Sequence, residues 1–100
     1  LPGNRIDYLL GKGYDRFSGE VGIDDATTAK GRARFEILAD GHVLFSSEPL
    51  AVGDKPQRFN VPVNGCRRLT LLVVKVDDAD GQVLANWGDT YLRASVTPGR

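Results

Sequence analysis

The apolar residues of this chain recur at every second position, in short runs that are rich in β-branched and aromatic side chains. A period of two is typical of β-strands with one buried face, whereas an amphipathic helix has a period of about 3.6. Gly, Asp, Asn and Pro separate the runs, and these residues are frequent in turns. The pattern therefore predicts an all-β domain. The predicted strands are 6–10, 16–23, 32–38, 43–47, 57–63, 67–76 and 90–96.

A tight hairpin is predicted at the Asp-Gly pair 40–41, because both central residues of a type I′ turn need a positive φ. This turn would place Leu38 opposite Val43 and Ile37 opposite Leu44. Neither face of the strand pair is wholly polar. We therefore expect the pair to be covered on one side and flanked by loops on the other.

Two further runs differ in their expected place within a sheet. Proline cannot donate a ladder hydrogen bond, so Pro62 predicts an edge position for strand 57–63. The run 67–76 is almost continuously apolar, which predicts a central strand buried on both faces. Segment 86–89 is rich in turn residues and is predicted to end a long loop. Short strands of this kind, with no helical segment, predict a single antiparallel β-sandwich over residues 1–100.

Length and charge limit the possible classes of function. One hundred residues correspond to one domain with a core large enough to fold alone. We expect it to be a module of a longer protein, since the chain has no methionine to start it. Thirteen basic residues balance thirteen acidic ones, which argues against nucleic acid or an anionic membrane as a partner. The longest apolar run has only the length of a strand, so no membrane span is predicted.

Residues suited to catalysis are scarce. His42 is the only histidine and adjoins the predicted hairpin turn, so we interpret it as an exposed turn residue rather than a general base. Cys66 is the only cysteine, which excludes an internal disulfide. Its place between a turn and an apolar strand predicts a small core residue. We therefore predict that the chain is not an enzyme.

Aspartates in the predicted turns could bind a hard cation. Carboxylate oxygens in loops are typical calcium ligands, and a structural calcium site would use Asp25, Asp78 and Asp80. In the alternative interpretation, aspartate occurs at these positions only because it favours turns. Both interpretations stay open, and no other cofactor is predicted.

The only tryptophan, Trp87, lies among polar residues that can bind sugar hydroxyl groups. Sugars stack on aromatic faces and form hydrogen bonds with Asp, Asn and Arg side chains. The candidate ligand-binding residues are Trp87, Asn86, Asp89, Asp24 and Arg16. In the alternative interpretation, Trp87 closes the end of the core, Asp89 caps a turn and Arg16 forms a structural ion pair.

Several segments, in this order, resemble the NPCBM family, which is also classed as carbohydrate-binding module family 51. Residues 14–25 read Tyr-Asp-Arg-Phe-Ser-Gly-Glu-Val-Gly-Ile-Asp-Asp. Residues 35–47 contain Phe-Glu-Ile and the Asp-Gly hairpin with its following strand. The apolar strand 69–74 precedes Asn-Trp-Gly-Asp at 86–89. The resemblance extends over nearly the whole chain.

The resemblance implies a jelly-roll β-sandwich of the galactose-binding-domain type. It implies a lectin-like, non-catalytic module that binds galactose-type glycans and targets a linked catalytic domain, such as a glycoside hydrolase. It also implies a bacterial protein that is extracellular or held at the cell surface. The alternative function is a structural or protein-interaction sandwich that has lost sugar binding and pairs with a partner through an edge strand.

Overall fold

The structure is a computed structural model that describes residues 3–11, 13–24, 31–76 and 85–94. These residues form β-strands, and none of them forms a helix long and apolar enough to cross a bilayer. The strands are β1 (Gly3–Leu9), β2 (Tyr14–Ile23), β3 (Ala33–Ala39), β4 (His42–Ser46), β5 (Gln57–Pro62), β6 (Arg68–Lys75) and β7 (Ala85–Ala94).

The strands form two sheets that pack face to face. Sheet A has the strand order β1-β6-β3-β4, and sheet B has the order β5-β2-β7. Every neighbouring pair of strands is antiparallel. The prediction of an all-β antiparallel sandwich is therefore confirmed. The consecutive strands β1 and β2 lie in different sheets, so the connection between them crosses from one layer to the other.

The core lies between the two sheets and is filled by every second residue of the central strands, as the alternating sequence predicts. In β2 the buried positions are Phe17, Gly19 and Val21, and in β5 they are Phe59 and Val61. Sheet A contributes the opposing side chains. The buried apolar residues are Phe17, Val21, Ala33, Phe35, Ile37, Leu50, Phe59, Val61, Val63, Cys66, Leu69, Leu71 and Val73.

The predicted hairpin joins β3 and β4. The Asp-Gly pair at 40–41 has φ angles of 49° and 86°, as a primed turn requires. Leu38 lies opposite Val43, as predicted. Ile37 lies opposite Phe45 rather than its predicted partner, because the register shifts between these two pairs. The irregularity adds one residue to β4, which the sequence pattern does not reveal.

Other expectations for the strands were met in part. β5 is an edge strand, as Pro62 predicted, and β6 is central. The prediction that β6 is buried on both faces is wrong, because Leu72 and Val74 are partly exposed on the outer face of sheet A. The prediction of a loop at 86–89 is also wrong, since β7 begins at Ala85 and includes this segment.

A β-bulge in β7 explains the turn-like composition of that segment. Gly88 pairs with Glu20, and Tyr91 pairs with Ser18, so two residues of β7 oppose Gly19 alone. Such an insertion of one extra residue reverses the alternation of the bulged strand. Residues that a regular strand would place on one face therefore lie on opposite faces.

The reversal separates the two large aromatic residues of β7. Trp87 lies opposite the fully buried Val21 and faces the core. Four positions later, Tyr91 faces solvent, and Leu92 takes the core position instead. The first residue of the bulge, Asp89, has a φ of 49°, a conformation that aspartate tolerates better than most residues.

We predict that the bulge requires glycine at position 19. A Cβ atom there would lie 2.8 Å from Thr90 Cγ2 and 2.9 Å from Phe59 Cζ. Because overpacking costs about 1–3 kcal/mol, Gly19→Ala should lower the free energy of unfolding by that amount in urea denaturation. Gly22→Ala is the matched control, since its Cβ would meet Pro56 at an ordinary distance of 3.7 Å. Equal stabilities of the two variants would contradict this account.

The carboxylate of Asp40 ties the β3–β4 hairpin to the start of β6. It accepts hydrogen bonds from the backbone N–H of Arg68 at 2.8 Å and of Arg67 at 3.2 Å. The Asp40 N–H donates in turn to the Arg68 carbonyl oxygen at 2.9 Å. The bonds from Arg68 and Arg67 favour the charged carboxylate, so they hold the pKa of Asp40 below its ordinary value of 3.8.

This pKa shift predicts a pH-dependent effect of Asp40→Asn, a variant that keeps a residue tolerant of positive φ. A carboxyl group with a lowered pKa in the folded state stabilises the fold above its unfolded pKa, and this contribution disappears as pH falls through the folded pKa. The variant should therefore be less stable than the wild type at neutral pH. The difference should shrink as the pH falls below 3.8. Urea denaturation at neutral pH and at about pH 3 measures it, and a constant difference would refute the assignment.

Candidate functional site

The polar candidates from the sequence lie on one surface, the face of sheet B that points away from the core. Side chains of β2 that alternate with the buried ones face outward, together with their register partners on β5 and β7. We call this surface the outer face of sheet B. It consists of Arg16, Ser18, Glu20, Gly22, Arg58, Asn60, Pro62, Asn86, Gly88, Asp89, Tyr91 and Arg93, with Asp24 at the end of β2.

Asn86 and Asp24 meet at one end of this face. The Nδ2 atom of Asn86 donates a hydrogen bond to Oδ2 of Asp24 at 3.3 Å. Gly22 lies opposite Asn86 in register, and Gly88 follows on the same face of β7. A Cβ atom on Gly88 would have no neighbour within 4 Å. The carboxamide and the carboxylate therefore flank an open stretch of backbone that a polar ring can approach.

Arg16 lies near the other end of the outer face. It precedes Asp24 by eight residues of β2, roughly 26 Å in an extended strand. Its guanidinium donates from Nε to Oδ1 of Asn60 at 2.8 Å and from Nη2 to the Asn60 carbonyl oxygen at 3.0 Å. These bonds tie β2 to β5. Asp89 lies between the two ends, so the structure does not gather all the predicted residues around one ligand.

Ion pairs balance the charges on and beside the outer face. Arg93 donates to both carboxylate oxygens of Asp15, at 2.9 and 3.1 Å. The hydrogen bond from Arg93 holds the pKa of Asp15 below its ordinary value. Arg58 and Glu20 form a looser pair at 4.0 Å. The surface therefore offers local donors and acceptors rather than a strong field of one sign.

The indole of Trp87 packs into the core. Its ring centroid lies 5.2 Å from that of Phe35 and 6.0 Å from that of Phe59, and both contacts are edge-on. The side chain is partly buried against the core cluster. This packing is that of the alternative interpretation, in which Trp87 closes the sandwich. A direct contact of Trp87 with sugar stays a prediction.

The predicted calcium ligands Asp25, Asp78 and Asp80 lie outside the residues that the structure describes. Within ranges 3–11, 13–24, 31–76 and 85–94, no three His, Cys, Asp or Glu side chains come together in a way that could hold a metal ion. The calcium site therefore stays a prediction from the sequence.

The residues considered for catalysis have structural positions. His42 is exposed beside the hairpin turn, as predicted. Cys66 is buried, as predicted, and its Sγ donates to the Arg68 carbonyl oxygen at 3.1 Å. Burial raises the pKa of the Cys66 thiol, which opposes formation of a nucleophilic thiolate.

The sequence leaves open whether Tyr91 is a surface or a core aromatic residue, and Tyr91 is not among the candidate ligand-binding residues. Its side chain is 63% exposed on the outer face, beside Ser18. Strict alternation would have placed it on the same side as Trp87, and only the bulge separates the two. The adjacent Gly88 and Asp89 are the signal that could have indicated a bulge, because both tolerate irregular backbone.

Comparison with known proteins identifies the family. Residues 2–93 match the NPCBM/NEW2 domain. The chain belongs to the NPCBM family. This family is a carbohydrate-binding module and a non-catalytic domain of glycoside hydrolases, which confirms the resemblance seen in the sequence and the prediction that the chain is not an enzyme.

One relative is a protein from the bacterium Renibacterium salmoninarum, described as "Putative endo-alpha-N-acetylgalactosaminidase". The two are 32% identical over 90 residues. The match covers 90% of this chain but 6% of the relative, so the NPCBM chain spans only a small part of that protein's length.

Two solved structures with the same fold contain sugars. One is the CBM51 of a Clostridium perfringens GH95 protein in complex with methyl-galactose, with a TM-score of 0.76 and 26% identity; the match covers 88% of this chain and 63% of that one. The other contains CBM51-2 of Clostridium perfringens ZmpB in complex with GlcNAc, with a TM-score of 0.75 and 26% identity; it covers 90% of this chain and 20% of that one.

The packing of Trp87 predicts that its truncation acts mainly on stability. Trp87→Ala removes ring contacts with Phe35 and Phe59, and we expect the free energy of unfolding to fall by about 3 kcal/mol. Trp87→Phe keeps a ring between the sheets and should lose less. Urea denaturation measures both. If Trp87→Ala kept the wild-type stability but lost sugar affinity, the core role would be wrong.

Proposed function

We propose that this NPCBM module binds galactose-type glycans at the end of sheet B where Asn86 meets Asp24, and that it holds a linked enzyme close to its glycan substrate. In this proposal the parent protein acts outside the bacterial cell or at its surface. The observation that carries the proposal is the Asn86–Asp24 pair, an exposed carboxamide 3.3 Å from a carboxylate near the open backbone of Gly88.

The chemistry of the pair suits a sugar with neighbouring hydroxyl groups. A hydroxyl group both donates and accepts hydrogen bonds, whereas Asp24 accepts and the Asn86 carboxamide can do both. Galactose carries an axial and an equatorial hydroxyl group on adjacent carbons of one ring face. Such a pair can bond to the carboxylate and the carboxamide together. The absence of a side chain at Gly88 leaves room for the ring.

The relatives support the sugar class without fixing it. The GH95 module was solved with methyl-galactose and the ZmpB module with GlcNAc. The fold has therefore been seen with two different sugars in proteins of similar identity to this chain. We favour galactose because the described pair is matched by adjacent hydroxyl groups on one face of the ring.

The proposed linkage to an enzyme is consistent with the low sugar affinity expected of such a site. A shallow surface with few hydrogen bonds should give a Kd between millimolar and micromolar, roughly 4 to 8 kcal/mol of binding free energy. Covalent linkage to an enzyme compensates for weak binding, because it raises the effective concentration of substrate near the active site. The match to 6% of a protein named as a glycosidase supports this arrangement.

The other residues predicted to bind a ligand have a secondary role in the proposal. Asp89 and Arg16 belong to the same outer face but lie farther along it, so they would contact additional units of a longer glycan rather than the same ring. Calcium, if bound by Asp25, Asp78 and Asp80, would have a structural role.

Calorimetric titration with methyl-galactose and with GlcNAc tests the proposed site. We expect Asn86→Ala to weaken methyl-galactose binding by about threefold to tenfold, since one hydrogen bond contributes about 0.5–1.5 kcal/mol. Asp24→Ala should have a similar or larger effect. Asn64→Ala is the matched control, because Asn64 is also exposed but lies in the turn before β6.

The titration has clear contradicting outcomes. If the wild-type module bound neither sugar, and bound no galactose-type glycan on an array, the glycan function would be overturned and the alternative of a structural or protein-interaction sandwich would gain. If Asn86→Ala and Asn64→Ala bound methyl-galactose equally well, the sugar site would lie elsewhere on the module.

A further inference from the structure

A shallow depression lies in the middle of the outer face of sheet B, apart from the end where Asn86 meets Asp24. Its volume is about 270 Å³. Ser18, Arg58, Asn60, Asp89 and Tyr91 line it, and Gly19 lies in its floor. Tyr91 follows Asn86 by five residues in β7, roughly 16 Å in an extended strand. One monosaccharide cannot contact both places.

We propose that this depression, called the Tyr91 depression below, is a second binding site for a neutral pyranose sugar. The proposal rests on the carbohydrate-binding function proposed for the module, but its site does not include Asn86 or Asp24. The site is built on strands rather than loops, which holds its side chains in fixed relative positions.

The aromatic surface of the depression is suited to sugar stacking. Tyr91 is 63% exposed although it lies within a strand. Its register partner Ser18 pairs on the other side with Asn60, so three outward side chains form a row across three strands. Neighbouring strands lie about 4.8 Å apart, and the row is therefore roughly 10 Å wide. This width accommodates one pyranose ring with its hydroxyl groups, the C–H face of the ring against the phenol.

The polar groups around Tyr91 provide both donors and acceptors. Oδ1 of Asn60 already accepts a hydrogen bond from Arg16 at 2.8 Å, and the Nδ2 group of Asn60 is a donor for a ligand. The Ser18 hydroxyl can donate and accept, and the Asp89 carboxylate accepts. A sugar ring with several hydroxyl groups can use all three at once.

The charges favour a neutral ligand over an ionic one. Asp89 would repel an anionic sugar, and Arg58 would repel a cationic one. The Arg58 side chain is 84% exposed, and its ion pair with Glu20 is loose, with 4.0 Å between the nearest charged atoms. The guanidinium can therefore turn toward a hydroxyl group of a ligand. A ligand with hydroxyl groups and no net charge satisfies both residues.

The bulge is the second structural observation behind the proposal. Asp89 adopts a positive φ, and non-glycine residues in this conformation concentrate at binding sites. Bulges near such sites redirect side chains. Here the bulge places Asp89 at the rim and turns Tyr91 outward, whereas the side-chain direction at position 19 is toward the core, so only backbone lies in the floor there.

Amide chemical-shift mapping with methyl-galactose and GlcNAc as separate probes tests the proposal. We expect at least one probe to shift the amide signals of Ser18, Asn60 and Tyr91. Tyr91→Ala should raise the apparent Kd obtained from these shifts by about tenfold, as expected when an aromatic anchor is removed. Asp89→Asn, which keeps a residue tolerant of positive φ, should also weaken it. His42→Ala is the matched control, because His42 also carries an exposed ring but lies on β4 of sheet A.

The outcomes separate this inference from the proposed function. Shifts confined to the region of Asp24 and Asn86 would overturn the Tyr91 depression and leave the glycan function intact. Shifts confined to the Tyr91 depression would support the inference and overturn the site at Asn86. A lack of shifts with both probes would overturn both. If Tyr91→Ala and Asp89→Asn stayed folded with unchanged shifts at Ser18 and Asn60, the inference would also be wrong.

Discussion

The packing of one ring, Phe59, links the core of this NPCBM module to its surface. Phe59 takes part in three of the four aromatic contacts within the described residues, with Phe17 at 5.1 Å, Phe45 at 5.5 Å and Trp87 at 6.0 Å between centroids. Phe45 belongs to sheet A, so these contacts hold the sheets together. The ring has room because its register partner is Gly19. A Cβ atom at position 19 would point into the core toward this ring, and Phe59 itself borders the depression on the outer face.

The extra residue in β7 places the two large aromatic side chains of that strand on opposite faces of sheet B. Before the bulge, the indole of Trp87 fills the core, and after it the phenol of Tyr91 faces solvent. In the proposed assignment, stability depends on Trp87 and ligand contact on Tyr91, two aromatic residues of one strand. Replacement of Tyr91 would not create a core cavity, because Leu92 occupies the core position at that level.

The sequence was sufficient to predict the β-sandwich and the edge position of β5, but not the bulge in β7 or the register between strands. Alternation located the strands, and Pro62 indicated that β5 is an edge, because both signals arise from local backbone chemistry. The composition of residues 86–89 predicts a loop, because glycine and aspartate favour turns. A β-bulge favours the same two residues, because both tolerate irregular backbone angles. Among the site residues, the contact of Asn86 with Asp24 depends on the β2–β7 register, which no local pattern fixes. The exposure of Tyr91 also depends on this register, because the bulge in β7 decides on which face of the sheet the side chain lies.

The spacing of the two proposed sites determines how they can act together. They lie on one rigid face, roughly 16 Å apart along β7, so a chain of several sugar units can reach both, whereas a monosaccharide can occupy only one. When one unit of such a chain is bound, the next unit is held near the second site at a high effective concentration. Binding at both sites is then stronger than binding at either site alone, without any contact beyond those that the two sites form. A module with this arrangement would distinguish polymeric glycans from free monosaccharides, which is the distinction that an enzyme attached to it requires.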